Sequence, residues 1–60
     1  MADVYEVYEG VVKGCREPLR VFDNIRDAEN AADAMAMRGN PASVYEVEGG
    51  ESKRVYAVSL

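Results

Sequence analysis

The chain has 60 residues and a mass of 6.6 kDa, with 7 basic and 11 acidic side chains, a net charge of −4 and a pI near 4.6. That length accommodates one small domain, expected to span residues 1–60, with a thin core. The acidic balance disfavours direct binding to nucleic-acid phosphates, which depends on surplus Lys and Arg. A hydrophobic share of 48% is typical of a globular protein and excludes a disordered acidic tail.

Cysteine and histidine content excludes several classes of site. The single Cys15 excludes an internal disulfide, and without His the usual zinc sites are excluded as well. No stretch has the D-x-[DN]-x-[DN]-G spacing of a calcium loop, so no metal or cofactor is expected. The apolar runs are short for a membrane span and no charged-then-apolar leader begins the chain. We therefore expect a cytoplasmic protein that does not bind membranes.

A repeated tetrapeptide is the most informative feature of the sequence. Val-Tyr-Glu-Val occurs at 4–7 and again at 44–47, and each copy soon reaches Glu-Gly. Such β-branched and aromatic residues predict β-strands. Each copy precedes a turn-prone polar stretch and a second apolar run, which predicts two β-hairpins. Their strands are expected at 4–12 and 19–22 around a loop at 13–18, and at 43–48 and 54–60 around a turn at 49–52.

One helix is predicted between the hairpins. Asn24 is suited to the N-cap position, and Asp27 stands three residues on, where the acidic member of a capping box reaches back. An apolar stripe at helical spacing follows, made of Ala28, Ala31, Ala32 and Met35. Gly39 and Pro41 mark the end of the helix.

The element order ββαββ predicts an α+β fold in two layers, with one helix packed on a four-stranded, largely antiparallel sheet. Alternation along the strands then divides their residues between the two faces of the sheet. If both copies of the repeat behave alike, the face covered by the helix takes Tyr5, Val7, Tyr45 and Val47. The open face then takes Glu6, Tyr8, Val44, Glu46 and Glu48.

Acidic residues concentrate on and beside the two repeated strands. If these strands are neighbours, their carboxylates converge on one patch with an aromatic ring among them. Such a patch offers a basic groove the sign and rough spacing of charge that phosphates present. The residues predicted to bind a protein partner are Glu6, Tyr8, Glu9, Glu46, Glu48 and Glu51. The alternative is a solubilising negative face without a partner.

Catalysis is not expected. The chain has no His to act as a base and no phosphate loop of the GxGxxG or GxxxxGK[ST] kind. Nothing in the sequence desolvates a chosen pair of carboxylates, as acid/base chemistry requires. Cys15 has Lys13 and Arg16 nearby, and cationic neighbours favour a thiolate. An unremarkable free thiol and a redox-sensitive module both remain as interpretations of this residue.

In length, acidic charge and element order the whole chain resembles small phage-encoded inhibitors of the anti-CRISPR type. Those are typically single acidic domains without a cofactor, and several occupy the DNA-binding groove of a CRISPR effector complex with carboxylates. The resemblance implies a non-enzymatic inhibitor, encoded by a phage or mobile element and acting in the host bacterial cytoplasm. Its partner would be the basic, nucleic-acid-binding surface of a protein complex. No motif accompanies the resemblance, so it assigns no residue a role.

The alternative function is that of a small homodimeric protein-interaction module. The second apolar face of the sheet would then be buried against another copy of the chain, since twofold symmetry is the commonest form of assembly. The residues expected in that interface are Phe22, Val44 and Tyr56.

Overall fold

The computed structural model describes residues 2–59. Its elements are β1 (Val4–Glu9), β2 (Arg20–Phe22), α1 (Ile25–Met37), β3 (Ala42–Glu48) and β4 (Glu51–Val58). The strands form one antiparallel sheet in the order β2-β1-β3-β4, and α1 packs against it. The predicted α+β fold is therefore confirmed, and the two repeated strands are neighbours. Met1 and Leu60, the expected limits of the domain and of the last strand, lie outside the described residues.

The second hairpin reverses direction in two residues. Gly49 and Gly50 have φ angles of 58° and 82°, the left-handed values that a type I′ turn requires and that glycine adopts without strain. Glu48 consequently pairs with Glu51, and β4 begins at Glu51 instead of at Arg54. In the first hairpin the strands are shorter than predicted. There β1 ends at Glu9, which leaves a longer connection to β2.

Helix α1 is capped by the residues expected. The side-chain oxygen of Asn24 accepts a hydrogen bond from the backbone N–H of Asp27 at 2.9 Å. The Asp27 carboxylate accepts from the Asn24 side-chain amide at 2.9 Å, so the pair differs from a capping box, in which the acidic residue binds backbone. At the other end Gly39 has a φ of 88°, and the N–H groups of Gly39 and Asn40 close a Schellman motif on the last helical turn.

The core lies between α1 and the sheet and is built from small and β-branched side chains. Its fully buried members are Val7, Ala28, Ala32, Ala42 and Val44. The helix contributes only alanine methyl groups at its centre, which allows its backbone to approach the strands closely. Phe22, Val44 and Tyr56 all belong to this cluster or pack against it. The predicted placement of these three residues in a dimer interface is therefore wrong, since the helix already covers them.

The two copies of the repeat direct their tyrosines to opposite faces of the sheet. Antiparallel pairing aligns the copies in reverse order, so that Tyr5 pairs with Glu46 and Glu6 pairs with Tyr45. The first copy has the predicted orientation, with Val7 under the helix. The second copy is inverted relative to the prediction. Its residues on the helix side are Val44, Glu46 and Glu48, and those on the other side are Tyr45 and Val47.

The connection between β1 and β2 covers the centre of the sheet face opposite the helix, over Tyr8 and Tyr45. Lys13 lies at its centre, with Nζ 5.8 Å from the centroid of the Tyr8 ring and 5.2 Å from that of Tyr45. The backbone N–H of Lys13 donates to the Tyr45 hydroxyl at 3.1 Å, and Arg54 donates to the carbonyl of Val11 at 2.6 Å. The face expected to be open is thus covered at its centre by a loop, and we call it the loop face.

Candidate partner-binding surface

The six residues predicted to bind a partner do not form one patch. Glu46, Glu48 and Glu51 come together on the helix side, at the end of the sheet where β3 turns into β4. Glu6 and Tyr8 lie on the loop face, and Glu9 lies at the far end of β1, where it pairs with Ala42. The two repeated strands are neighbours, which is the condition that the predicted patch required, but the inverted orientation of the second copy separates their carboxylates.

Tyr8 and Glu6 bind each other within the loop face. Tyr8 is only 4% exposed, and its ring packs edge-on against Tyr45 with centroids 5.4 Å apart. Its hydroxyl donates to a Glu6 carboxylate oxygen at 2.6 Å. Burial, and after it this hydrogen bond, raise the pKa of Tyr8 to about 12. The buried ring is not available as an aromatic anchor for a partner.

We call the surface formed by Asp23, Glu46, Glu48 and Glu51 the acidic end. Strand alternation places Glu46 and Glu48 on one face, about 7 Å apart along β3. The two-residue turn then brings Glu51 directly opposite Glu48. Asp23 reaches the same region from the segment between β2 and α1 and was not among the predicted residues. The sequence offered one signal for Asp23, its position directly before the N-cap residue Asn24, which places its carboxylate at the start of the helix.

Glu46 and Glu48 stand between two open recesses. The first has a volume of about 440 Å³ and is lined by Glu46, Glu48, Gly49, Glu51 and Lys53. The second has a volume of about 420 Å³ and is lined by Ala2, Tyr5, Asp23, Asn24, Ile25, Glu46 and Glu48. Four carboxylates and one ammonium group therefore line the two recesses, which gives this end of the molecule a strongly negative surface.

The environment of Glu46 shows how the acidic end is held in place. Burial, followed by the charge of Glu46 and a hydrogen bond to it, raises the pKa of Tyr5. Tyr5 and Glu46 are cross-strand partners in β1 and β3. On the other side of β3, Lys53 of β4 is the cross-strand partner of Glu46. Glu48 and Glu51 lie directly opposite one another across the turn, which places two carboxylates side by side at this end.

Three other features of the described chain bear on its chemistry. Cys15 is exposed in the loop between β1 and β2, and both interpretations of its thiol stay open. Within residues 2–59, no three His, Cys, Asp or Glu side chains are grouped so that they could hold a metal ion. The only helix in this range is too short and too polar to cross a membrane.

No protein-family model matches the chain, and comparison with curated proteins and with solved structures finds no similar protein.

Proposed function

We propose that the chain is a non-enzymatic inhibitor whose acidic end binds a basic surface on a host nucleic-acid-handling complex. A CRISPR effector complex is the kind of partner expected, and binding would block its access to nucleic acid. The observation that supports this is the grouping of Asp23, Glu46, Glu48 and Glu51 around two adjoining recesses. Carboxylates in such an array complement a groove lined by Arg and Lys and exclude the phosphates that normally occupy it.

The acidic end is carried by rigid elements, which favours binding. Glu46 and Glu48 project from β3, a central strand paired on both sides, and Glu51 begins the strand beside it. Groups already fixed by the fold lose less conformational entropy when a partner binds. Their shared sign also steers a basic partner towards this end of the molecule, over a range that ionic strength shortens.

The proposal keeps three of the six residues predicted from the sequence and adds Asp23. Glu6 is left out because its carboxylate accepts the Tyr8 hydroxyl on the loop face. Glu9 is left out because it lies at the opposite end of the sheet, beside the C-terminal half of α1.

A pull-down from bacterial lysate tests the proposal. Tagged protein is washed at low and then at high salt, and the bound proteins are identified by mass spectrometry. We expect a nucleic-acid-binding complex that is released by salt and by added nucleic acid, since exposed ion pairs are screened. The double variant Glu46→Lys/Glu48→Lys should reduce recovery of that complex at least about tenfold, because each reversal removes an attraction and adds a repulsion.

The matched control is Glu17→Lys/Glu29→Lys, which changes the net charge from −4 to 0 just as the test variant does, since each of the two reversals adds two charges. Its recovery should equal that of the parent, and circular dichroism should show both variants folded. An equal fall in recovery of the complex in both variants would show that binding depends on net charge alone, and it would contradict the proposal. Recovery of only untagged copies of the chain would instead support the homodimeric alternative.

A further inference from the structure

The exposed surface of α1 divides into two unlike sides. Ala28 and Ala32 face the sheet and are buried between the two sides. On the side near β4, Asp33 accepts a hydrogen bond from the Tyr56 hydroxyl at 2.5 Å. The other side, near β2, carries a stripe at positions i, i+3, i+4 and i+7, made of Ala31, Ala34, Met35 and Arg38.

This stripe forms one wall of a surface groove. The facing wall is formed by Leu19, which precedes β2, and by Arg20, the first residue of β2, and Glu9 and Asn40 complete the lining. The groove has a volume of about 400 Å³, which falls within the ~300–1,000 Å³ typical of ligand pockets. Its apolar floor is formed by Ala31, Ala34 and Met35, and Leu19 beside that floor is 57% exposed.

The charge of the groove is opposite to that of the acidic end. Arg20 and Arg38 line it together with one carboxylate, that of Glu9. The Arg20 guanidinium lies 4.9 Å from the centroid of the Phe22 ring, a stacking contact that leaves its edge donors free. Within residues 2–59, neither arginine forms an ion pair with a carboxylate. An acidic protein thus presents two unpaired guanidinium groups beside an apolar floor.

We infer that this groove binds a short acidic peptide segment of a protein partner. One apolar side chain of the peptide lies on Ala31, Ala34 and Met35, where the flexible thioether adapts to its shape. Carboxylates flanking that side chain pair with Arg20 and Arg38, whose planar donors bind carboxylates in a bidentate manner. The inference is independent of the proposed function, because the groove and the acidic end share no residue.

The position of the groove favours a peptide over a fatty acid of similar polarity. β2 is the outermost strand on its side of the sheet, and its outer edge pairs with no other strand among the described residues. Unpaired backbone N–H and C=O groups on such an edge hydrogen-bond to an extended peptide that lies alongside. A fatty acid uses the apolar floor and the two arginines but has no backbone to pair with the edge.

Fluorescence anisotropy with a labelled hexapeptide, Glu-Asp-Leu-Leu-Asp-Glu, tests the inference. We expect saturable binding with a Kd below about 1 mM that weakens with added salt. Arg20→Gln/Arg38→Gln should weaken binding at least about tenfold, since it removes hydrogen bonds to charged groups. Ala34→Trp, a bulky change at an exposed helical position, should fill the groove and weaken binding without altering charge.

Three controls show whether binding depends on the groove and on the chemistry of the peptide. Arg26→Gln removes an exposed arginine of the same helix that does not line the groove, and it should bind the peptide as the parent does. Glu46→Lys/Glu48→Lys should also bind the peptide as the parent does, because neither residue lines the groove. Peptide binding and the proposed function can therefore fail separately. Peptides with lysine in place of the carboxylates, or with Gly-Ser in place of Leu-Leu, should not bind.

Absence of saturable binding, equal affinity for the lysine peptide, or indifference to both groove variants would overturn the inference. Displacement of the peptide by octanoate at similar concentration would overturn it in favour of a fatty-acid site. Circular dichroism of each variant confirms that it is folded. If the double arginine variant fails to fold, Ala34→Trp decides the outcome.

Discussion

The two faces of the sheet are covered by layers of different chemistry. On the helix face, alanine methyl groups and valines pack together in an apolar cluster. On the loop face, the Lys13 ammonium group lies over two tyrosine rings, and the loop is held by hydrogen bonds from Lys13 N–H to Tyr45 and from Arg54 to the Val11 carbonyl. Helix α1 covers the first face, whereas the connection between β1 and β2 covers the centre of the second. The apolar cluster on the helix face does not itself depend on ionisation, whereas the contacts of Tyr8 and Lys13 on the loop face do.

The largest expected effect comes from a charge on the helix face. Ala32→Asp places a carboxylate at a fully buried position, and an unpaired buried charge costs about 3–5 kcal/mol. A domain of this size has a free energy of unfolding of only about 3–9 kcal/mol. We expect the variant to be largely unfolded by far-UV circular dichroism and urea titration.

Ala34→Asp is the matched control, because it makes the same change at an exposed position of the same helix. It should remain folded, with a urea midpoint close to that of the parent. If Ala32→Asp proved as stable as Ala34→Asp, the helix would not pack on the sheet as described.

An intermediate effect is expected from alkaline pH, which acts on Tyr8 of the loop face and also on Tyr5 and Tyr56, which pack on the helix face. The pKa of Tyr8 is raised from 10.0 to about 12 in the folded protein, so folding favours the neutral phenol. The stability it contributes is complete below pH 10 and is lost as the pH rises from 10 to about 12. The raised pKa values of Tyr5 and Tyr56 act in the same direction. Urea midpoints should therefore fall across this range.

Tyr8→Phe tests the assignment of this pH dependence. The variant lacks the hydrogen bond to Glu6, so its urea midpoint should be lower than that of the parent at neutral pH. Its midpoint should also fall less steeply above pH 10, because one titrating group is gone. A slope identical to that of the parent would show that Tyr8 does not contribute.

The smallest effect is expected at Ser43, the residue that pairs with Tyr8 on the loop face. Ser43 is fully buried, and its hydroxyl has no hydrogen-bond partner among the described residues. An unsatisfied buried polar group costs about 1–3 kcal/mol, so Ser43→Ala should leave stability unchanged or raise it by about 1 kcal/mol. Urea titration measures the change.

Ser52→Ala serves as the comparison for Ser43, because its hydroxyl accepts a hydrogen bond from Lys13 Nζ at 2.8 Å. That substitution should lower stability slightly, by less than about 1 kcal/mol, since the contact is exposed. A marked loss of stability in Ser43→Ala would indicate that its hydroxyl is hydrogen-bonded after all.

Features determined by local chemistry were predicted well from the sequence. Asn24 caps α1, Gly39 ends it, and Ala28 and Ala32 are buried, because capping and helical spacing act over a few neighbouring residues. The pairing of Gly49 and Gly50 in a tight turn is equally local. What these signals could not supply was the register between strands that are distant in the chain.

The candidate site shows what the missing register changed. Treating both copies of the repeat alike put Tyr45 under the helix and Glu46 on the open face, whereas antiparallel pairing reverses both. A shift of one position inverts a whole strand, because its side chains alternate with a period of two. The loop face was missed for a related reason. Nothing local to Lys13 indicates that its side chain will lie over two tyrosines from different strands.

The irregularity in β4 bears on how copies of the chain behave when crowded together. β4 is an outermost strand of eight residues, and a straight free edge of that length would template fibril growth. Its pairing with β3 shifts between Val44 and Tyr45, which leaves Val55 without a partner strand residue and interrupts the edge. The inserted residue and the charges of Lys53 and Arg54 are two of the features that disfavour edge-to-edge pairing between sheets.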